Sequence, residues 1–151
     1  LGLKLDGRGR WARGWRDMAG RVPWESLFTA ARAVRRNAHA PYSKFKVGAA
    51  VLAEDGQIHA GCNVENSSYG LSLCAERSAL AQAVAKGAFR VIAAAIVTDT
   101  RDPCPPCGMC RQAMSEQGTP RLPVRARTLR GRESRWTLGR LLPDAFTHRF
   151  L

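Results

Sequence analysis

Apolar positions recur along the chain with two different periods, and segments of the two kinds alternate. From Trp24 to about Asn37, Leu27, Ala31 and Val34 fall at helical spacing. Pro23 suits a helix start, and Pro41-Tyr42-Ser43 breaks the pattern. Residues 46–54, KVGAAVLAE, mix small and β-branched side chains and predict a strand with a partly buried face. Asp55-Gly56 is a tight-turn signal, and 57–62 returns as the partner strand of a hairpin. A polar loop follows from Asn63 to Leu73. From Cys74 to Lys86, ten residues are Ala, Leu, Glu, Arg, Gln or Lys, which predicts a helix. Ser72 is expected to cap it and Gly87 to end it. Residues 90–97, RVIAAAIV, form the nearly continuous apolar run of a central strand covered on both faces. After a Pro- and Asp-rich loop at 98–106, a second helix is expected from Cys107 to about Gln117. A strand over 122–128 and a short helix over 137–142, stopped by Pro143, complete the series.

Helices that separate strands in this order imply an α/β fold, a three-layer α-β-α sandwich around one mixed sheet. The 151 residues suit one domain, expected over 24–151 behind a Gly- and Arg-rich extension at 1–23. Hydrophobic residues make up 45% and charged residues 24%, which excludes wholesale disorder. The longest apolar runs are too short to cross a membrane, so no membrane partner is expected. The first fifteen residues carry positive charge but no continuous apolar stretch, a poor match to a signal peptide. Their lack of a starting Met suggests processing or truncation at that end.

Charge changes the picture only at the ends. The formal net charge is +12, with +4 on residues 1–24, +2 on 25–117 and +6 on 118–151. The basic ends leave non-specific nucleic-acid binding open, against the plainer reading of an Arg-rich solvated surface. Trp11, Trp15 and Trp24 are the nearest approach to aromatics interleaved with basic residues.

The cysteines carry the chemistry. Five of them, Cys62, Cys74, Cys104, Cys107 and Cys110, make a poor disulfide framework. They fit a metal site in a reducing, cytoplasmic compartment better. Cys74 and the Cys107/Cys110 pair are each expected at a helix N-terminus, where backbone N–H groups and the helix dipole favour thiolate. Three thiolates on Zn²⁺ leave one tetrahedral position for water, as catalytic sites require. Glu76, in the first turn after Cys74, can reach that water without ligating the metal and can move its proton. Zn²⁺ with three thiolates is formally −1, and Arg77 and Arg111 are candidates to offset that charge. Two other readings remain at this point. One is a closed four-cysteine knot completed by Cys62 or Cys104, a zinc-stabilised binding module without catalysis. The other is a redox dithiol at Cys107/Cys110, which leaves Cys74 and Glu76 unexplained.

The segments APYSKFKVGAAV at 40–51, GCNVENSSYG at 61–70, CAERSA at 74–79, PCGMCRQ at 106–112 and LLPDAF at 141–146 together resemble the small, homotetrameric-type zinc-dependent cytidine deaminases. The zinc-deaminase signature with its catalytic glutamate is a general one. The resemblance extends from about residue 25 to 146 and implies a five-stranded sheet. It implies one Zn²⁺ per subunit on Cys74, Cys107 and Cys110, with Glu76 transferring protons. It further implies Phe45 beside the pyrimidine, Asn63 and Glu65 on the ribose, and backbone contacts to the base around Ala75. Phe146 would close a neighbouring subunit's site, with Tyr69 near that interface. The activity implied is hydrolytic deamination of cytidine and 2′-deoxycytidine to uridine and 2′-deoxyuridine, with release of ammonia. Another cytosine-containing substrate, an antibiotic nucleoside or a polynucleotide, is the alternative within the same chemistry. Three features depart from the pattern: the extension at 1–23, the four arginines of PVRARTLRGR at 123–132, and the surplus Cys104.

Overall fold

The computed structural model describes residues 22–151. The N-terminal extension up to residue 21, with Trp11 and Trp15, lies outside the described residues. Helix α1 (Trp24–Arg35) follows Pro23 and buries Leu27, Phe28 and Ala31. Strands β1 (Val47–Ala53) and β2 (Ile58–Cys62) form the expected hairpin. Its turn needs Gly56, whose φ of +83° disfavours any side chain. Helix α2 (Ala75–Ala85), strand β3 (Val91–Thr98), helix α3 (Gly108–Gln117) and strand β4 (Pro123–Thr128) follow. Strand β5 (Glu133–Thr137) and the single turn α4 (Leu138–Leu141) complete the fold.

The sheet has five strands in the order β2-β1-β3-β4-β5. β1 runs antiparallel to both its neighbours, β3 and β4 are parallel, and β5 is antiparallel to β4. Because side chains alternate across a strand, β1 and β3 divide their apolar residues between two layers. Ala50, Leu52, Ala93, Ala95 and Val97 pack with Leu27, Phe28 and Ala31 of α1. Ala49, Val51, Ala94 and Ile96 pack on the opposite face with Ala79, Leu80 and Ala83 of α2 and Met114 of α3. Both helices that begin at metal-site cysteines therefore lie on one face of the sheet. Among the described residues, no helix is long and apolar enough to cross a membrane.

Three local outcomes differ from the sequence reading or complete it. Cys74, not Ser72, occupies the N-cap of α2. A bridge between Val64 and Leu73 keeps the chain extended past Ser72, whose hydroxyl accepts from the Asn66 N–H instead. β5 has no counterpart among the strands located by pattern, because Trp136 is its one large apolar residue. It is a polar edge strand held by its register with β4. The arginine-rich β4 alternates as expected, with Val124, Ala126 and Thr128 buried. Its other face extends the α1 layer by a different chemistry. Arg125 lies 4.0 Å from the Trp24 ring centroid and Arg127 3.8 Å from that of Phe28. Arg127 also pairs with Glu25 and Glu133 at 2.8 and 2.7 Å. Glu133 further engages Arg125 and Arg135, and Asp102 engages Arg132.

Candidate active site

Cys74 and Cys107 occupy the N-caps of α2 and α3, and Cys110 is the third residue of α3. The two helices start side by side, so their first turns present three sulfurs to one point. All three Sγ atoms lie within 4.8 Å of one another. Cys74 Sγ and Cys107 Sγ are 3.8 Å apart. Zinc–sulfur bonds of about 2.3 Å at the tetrahedral angle put sulfur pairs roughly 3.8 Å apart, so the donor set fits zinc in type and spacing. All five cysteines are free. Among the described residues, no other Cys, His or carboxylate joins the cluster. That geometry favours an open fourth position over a four-cysteine knot.

Electrostatics distinguish the members of the cluster. Cys74 is pushed down to about 5, chiefly by hydrogen bonding with Cys110, with Cys107 and the Arg77 guanidinium adding to the effect. Cys110 is pushed up by its interaction with Cys74 and by burial. Glu76, the second residue of α2, is only 6% exposed. Burial raises its pKa, the adjacent Cys74 raises it further, and a hydrogen bond with Cys110 opposes the rise. Its carboxyl is therefore held toward its protonated form.

Arg77 Nη2 donates to the Ser72 carbonyl at 2.8 Å, and its guanidinium charge helps to lower Cys74. Arg111 goes elsewhere. Its Nε and Nη1 donate to the Pro106 and Leu141 carbonyls, at 2.8 and 2.9 Å. Those contacts bind peptide oxygens and leave the expected hydrogen bond to sulfur without support. Cys104 stays outside the cluster, and burial, then Glu76 and Cys107, push its thiol up.

Beside Cys74 opens a cleft of about 430 Å³ lined by Tyr42, Ser43, Asn63, Glu65, Tyr69 and Leu73, among others. Val64 bridges His39 on one side and Leu73 on the other, so its neighbours Asn63 and Glu65 lie in extended backbone. Both turn their side chains toward residues 42–47. Glu65 accepts from the Tyr42 N–H at 2.9 Å, the Ser43 N–H at 3.2 Å and the Ser43 hydroxyl. The hydroxyl bond is the largest influence holding its carboxyl below the usual range. Asn63 Oδ1 accepts from the Val47 N–H, and its Nδ2 donates to the Phe45 carbonyl, both at 2.8 Å. Ser43 and Tyr42 thus belong to the cleft, and sequence reasoning missed them as site residues. Their one signal was the PYS break before the first strand.

Phe45 follows Lys44, whose φ of +60° is rare for a side-chain-bearing residue, and is 40% exposed. Ala75, the first residue of α2, is fully buried beneath the cluster. Tyr69 is 76% exposed, on a single 3₁₀ turn. Phe146 is 60% exposed and stacks on Phe150, with ring centroids 5.8 Å apart. Neither Phe45 nor Phe146 lines the cleft of its own chain.

Residues 23–126 match the family model described as the cytidine and deoxycytidylate deaminase zinc-binding region. A cytidine deaminase of Sporosarcina psychrophila is 46% identical over 123 residues, 82% of this chain and 90% of the relative. The crystal structure of a cytidine deaminase from Burkholderia pseudomallei aligns with a TM-score of 0.79 at 49% identity. It covers 83% of this chain and 100% of that one. The crystal structure of the Mycobacterium tuberculosis cytidine deaminase aligns with a TM-score of 0.72 at 43% identity, over 83% and 98% of the two chains.

Proposed function

The chain belongs to the cytidine and deoxycytidylate deaminase zinc-binding family, and we propose from that membership that it hydrolyses cytidine and 2′-deoxycytidine to uridine and 2′-deoxyuridine, releasing ammonia. The observation that carries the reading is the convergence of three sulfurs beside one buried carboxyl, with no fourth protein ligand among the described residues. Cys74, Cys107 and Cys110 hold one Zn²⁺ per subunit. When bound there, zinc lowers the pKa of water toward neutrality and supplies a nucleophile.

Glu76 is the proton carrier. Buried in the first turn of α2 after Cys74, its carboxyl is placed both to accept and to return a proton. It takes the proton from the attacking water, gives it to N3 of the cytosine ring, and serves again as ammonia leaves C4. Arg77 sets a positive charge against the thiolates, which limits the electron density that three sulfurs push toward the metal. Glu65 accepts from ribose hydroxyls while Asn63 pairs with them, and Phe45 lies against the flat base. Backbone around Ala75 meets the pyrimidine edge. The exposed Phe146 fits a role in a neighbouring subunit's site, with Tyr69 near that contact, in a homotetramer. The setting is cytoplasmic, where thiols stay reduced.

Replacing the carboxylate with an amide separates metal binding from proton transfer. Glu76→Gln retains one zinc per chain and loses turnover of cytidine by at least about 10²- to 10⁴-fold. Metal content and ammonia release, measured on the same preparation, decide it. Turnover like that of the wild type removes Glu76 from the reaction.

A further inference from the structure

Helix α3 carries two of the three metal cysteines in its first turn, and the two residues after Cys110 reach in a different direction. Arg111 Nε donates to the Pro106 carbonyl at 2.8 Å, and its Nη1 donates to the Leu141 carbonyl at 2.9 Å. Gln112 Nε2 donates to the Phe146 carbonyl at 2.6 Å. One guanidinium therefore joins the peptide that leads into Cys107 to a segment 30 residues further along the chain.

Each end of this fork meets a need. Pro106 is buried, and its carbonyl lies in the peptide that sets the approach of Cys107 to α3. Leu141 ends the four-residue helix α4, whose last carbonyls have no intrahelical donors. Pro143 cannot donate to them. Arg111 supplies that donor from outside. The planar guanidinium presents its N–H groups in a fixed arrangement, so the positions of the two carbonyls are linked.

We propose that Arg111 is a positioning residue that couples metal loading at Cys107 and Cys110 to the placement of the C-terminal segment 141–146. This rests on the zinc reading above. Zinc held by Cys107 and Cys110 fixes the turn from Pro106 to Arg111. The turn fixes the guanidinium, and the guanidinium caps α4, with Gln112 holding the segment again at Phe146. A coupling of this kind acts equally in both directions, so the segment's placement also strengthens zinc retention.

Hydrogen–deuterium exchange of the full chain, with and without Zn²⁺, tests the coupling together with zinc affinity from chelator competition. In the wild type, zinc removal speeds exchange of the Leu142 amide, which donates to the Leu138 carbonyl, by about tenfold, within the usual range of coupling between sites, while β3 stays protected. Zinc-loaded Arg111→Met shows the fast exchange of the zinc-free wild type, and its zinc affinity falls by a similar factor. Arg111→Lys does not restore either value, because an ammonium lacks the fork. Exchange of the Leu142 amide that ignores zinc in the wild type overturns the proposal. So does a zinc-loaded Arg111→Met with wild-type exchange or wild-type zinc affinity. If zinc removal releases β3 as well, the zinc-loaded variants decide alone, and if neither variant folds, the wild-type comparison decides. Failure of the wild type to bind zinc at all is a separate result, which sinks the metal reading itself.

Discussion

Asn63 and Glu65 are separated by one residue of extended backbone, and both side chains turn toward residues 42–47. Their spacing was legible in the sequence, because side chains two apart share one side of a strand. Their partners were not: Ser43 is 22 residues from Glu65, and no local pattern pairs them. In the folded chain, Glu65 holds the 42–43 turn, and its carboxylate has further lone pairs to offer. Glu65→Ala raises KM for cytidine at least about tenfold, the loss of one good charge-assisted bond. Thermal stability changes little, since water replaces the carboxylate at exposed amides. An unchanged KM leaves Glu65 as a loop clasp alone. The same contrast separates the two arginines. Both follow a cysteine of the cluster closely in sequence, yet the charge of Arg77 acts on Cys74 while Arg111 reaches the Pro106 and Leu141 carbonyls. Which acceptor lies within reach depends on α4, 30 residues away.

Helix α2 holds Cys74 and Glu76 in place by lying unusually close to β2. A Cβ added at Gly61 would lie 2.3 Å from the Ala79 nitrogen, and one added at Gly48 would lie 1.9 Å from the Ala31 carbonyl oxygen of α1. The two glycines thus permit close contact on opposite faces of the sheet, and only one of those faces carries the site. Gly61→Ala and Gly48→Ala each destabilise the fold by about 1–3 kcal/mol, the usual cost of forcing atoms into a packed layer. Gly61→Ala alone also weakens zinc retention, because α2 moves relative to α3. Denaturant midpoints and chelator competition separate the two effects, and equal zinc retention in both variants contradicts the account. At this scale local patterning, of apolar spacing, helix formers and turn residues, located α1, β1, β2, α2, β3, α3 and β4. It failed for β5, where partner register substitutes for apolar content. It also placed the cap of α2 two residues early, because the Val64–Leu73 bridge is a long-range constraint.

Across the described residues, part of the charge excess acquires a structural use. Arg125, Arg127, Arg132 and Arg135 are engaged by Glu25, Glu133 and Asp102, and two of them stack on α1 aromatics. Those arginines extend a packed layer, which favours a structural reading of this part of the basic surface. The exposed Tyr69 and Phe146 belong to the proposed assembly instead. Native mass spectrometry then finds four chains and four zinc ions, and a zinc-loaded monomer with full activity contradicts shared sites. The most direct test of the central claim is X-ray absorption at the zinc edge of the loaded protein. Three sulfur neighbours at about 2.3 Å and one oxygen at about 2.0 Å are expected. Four sulfur neighbours, with Cys62 or Cys104 recruited to the metal, would contradict it.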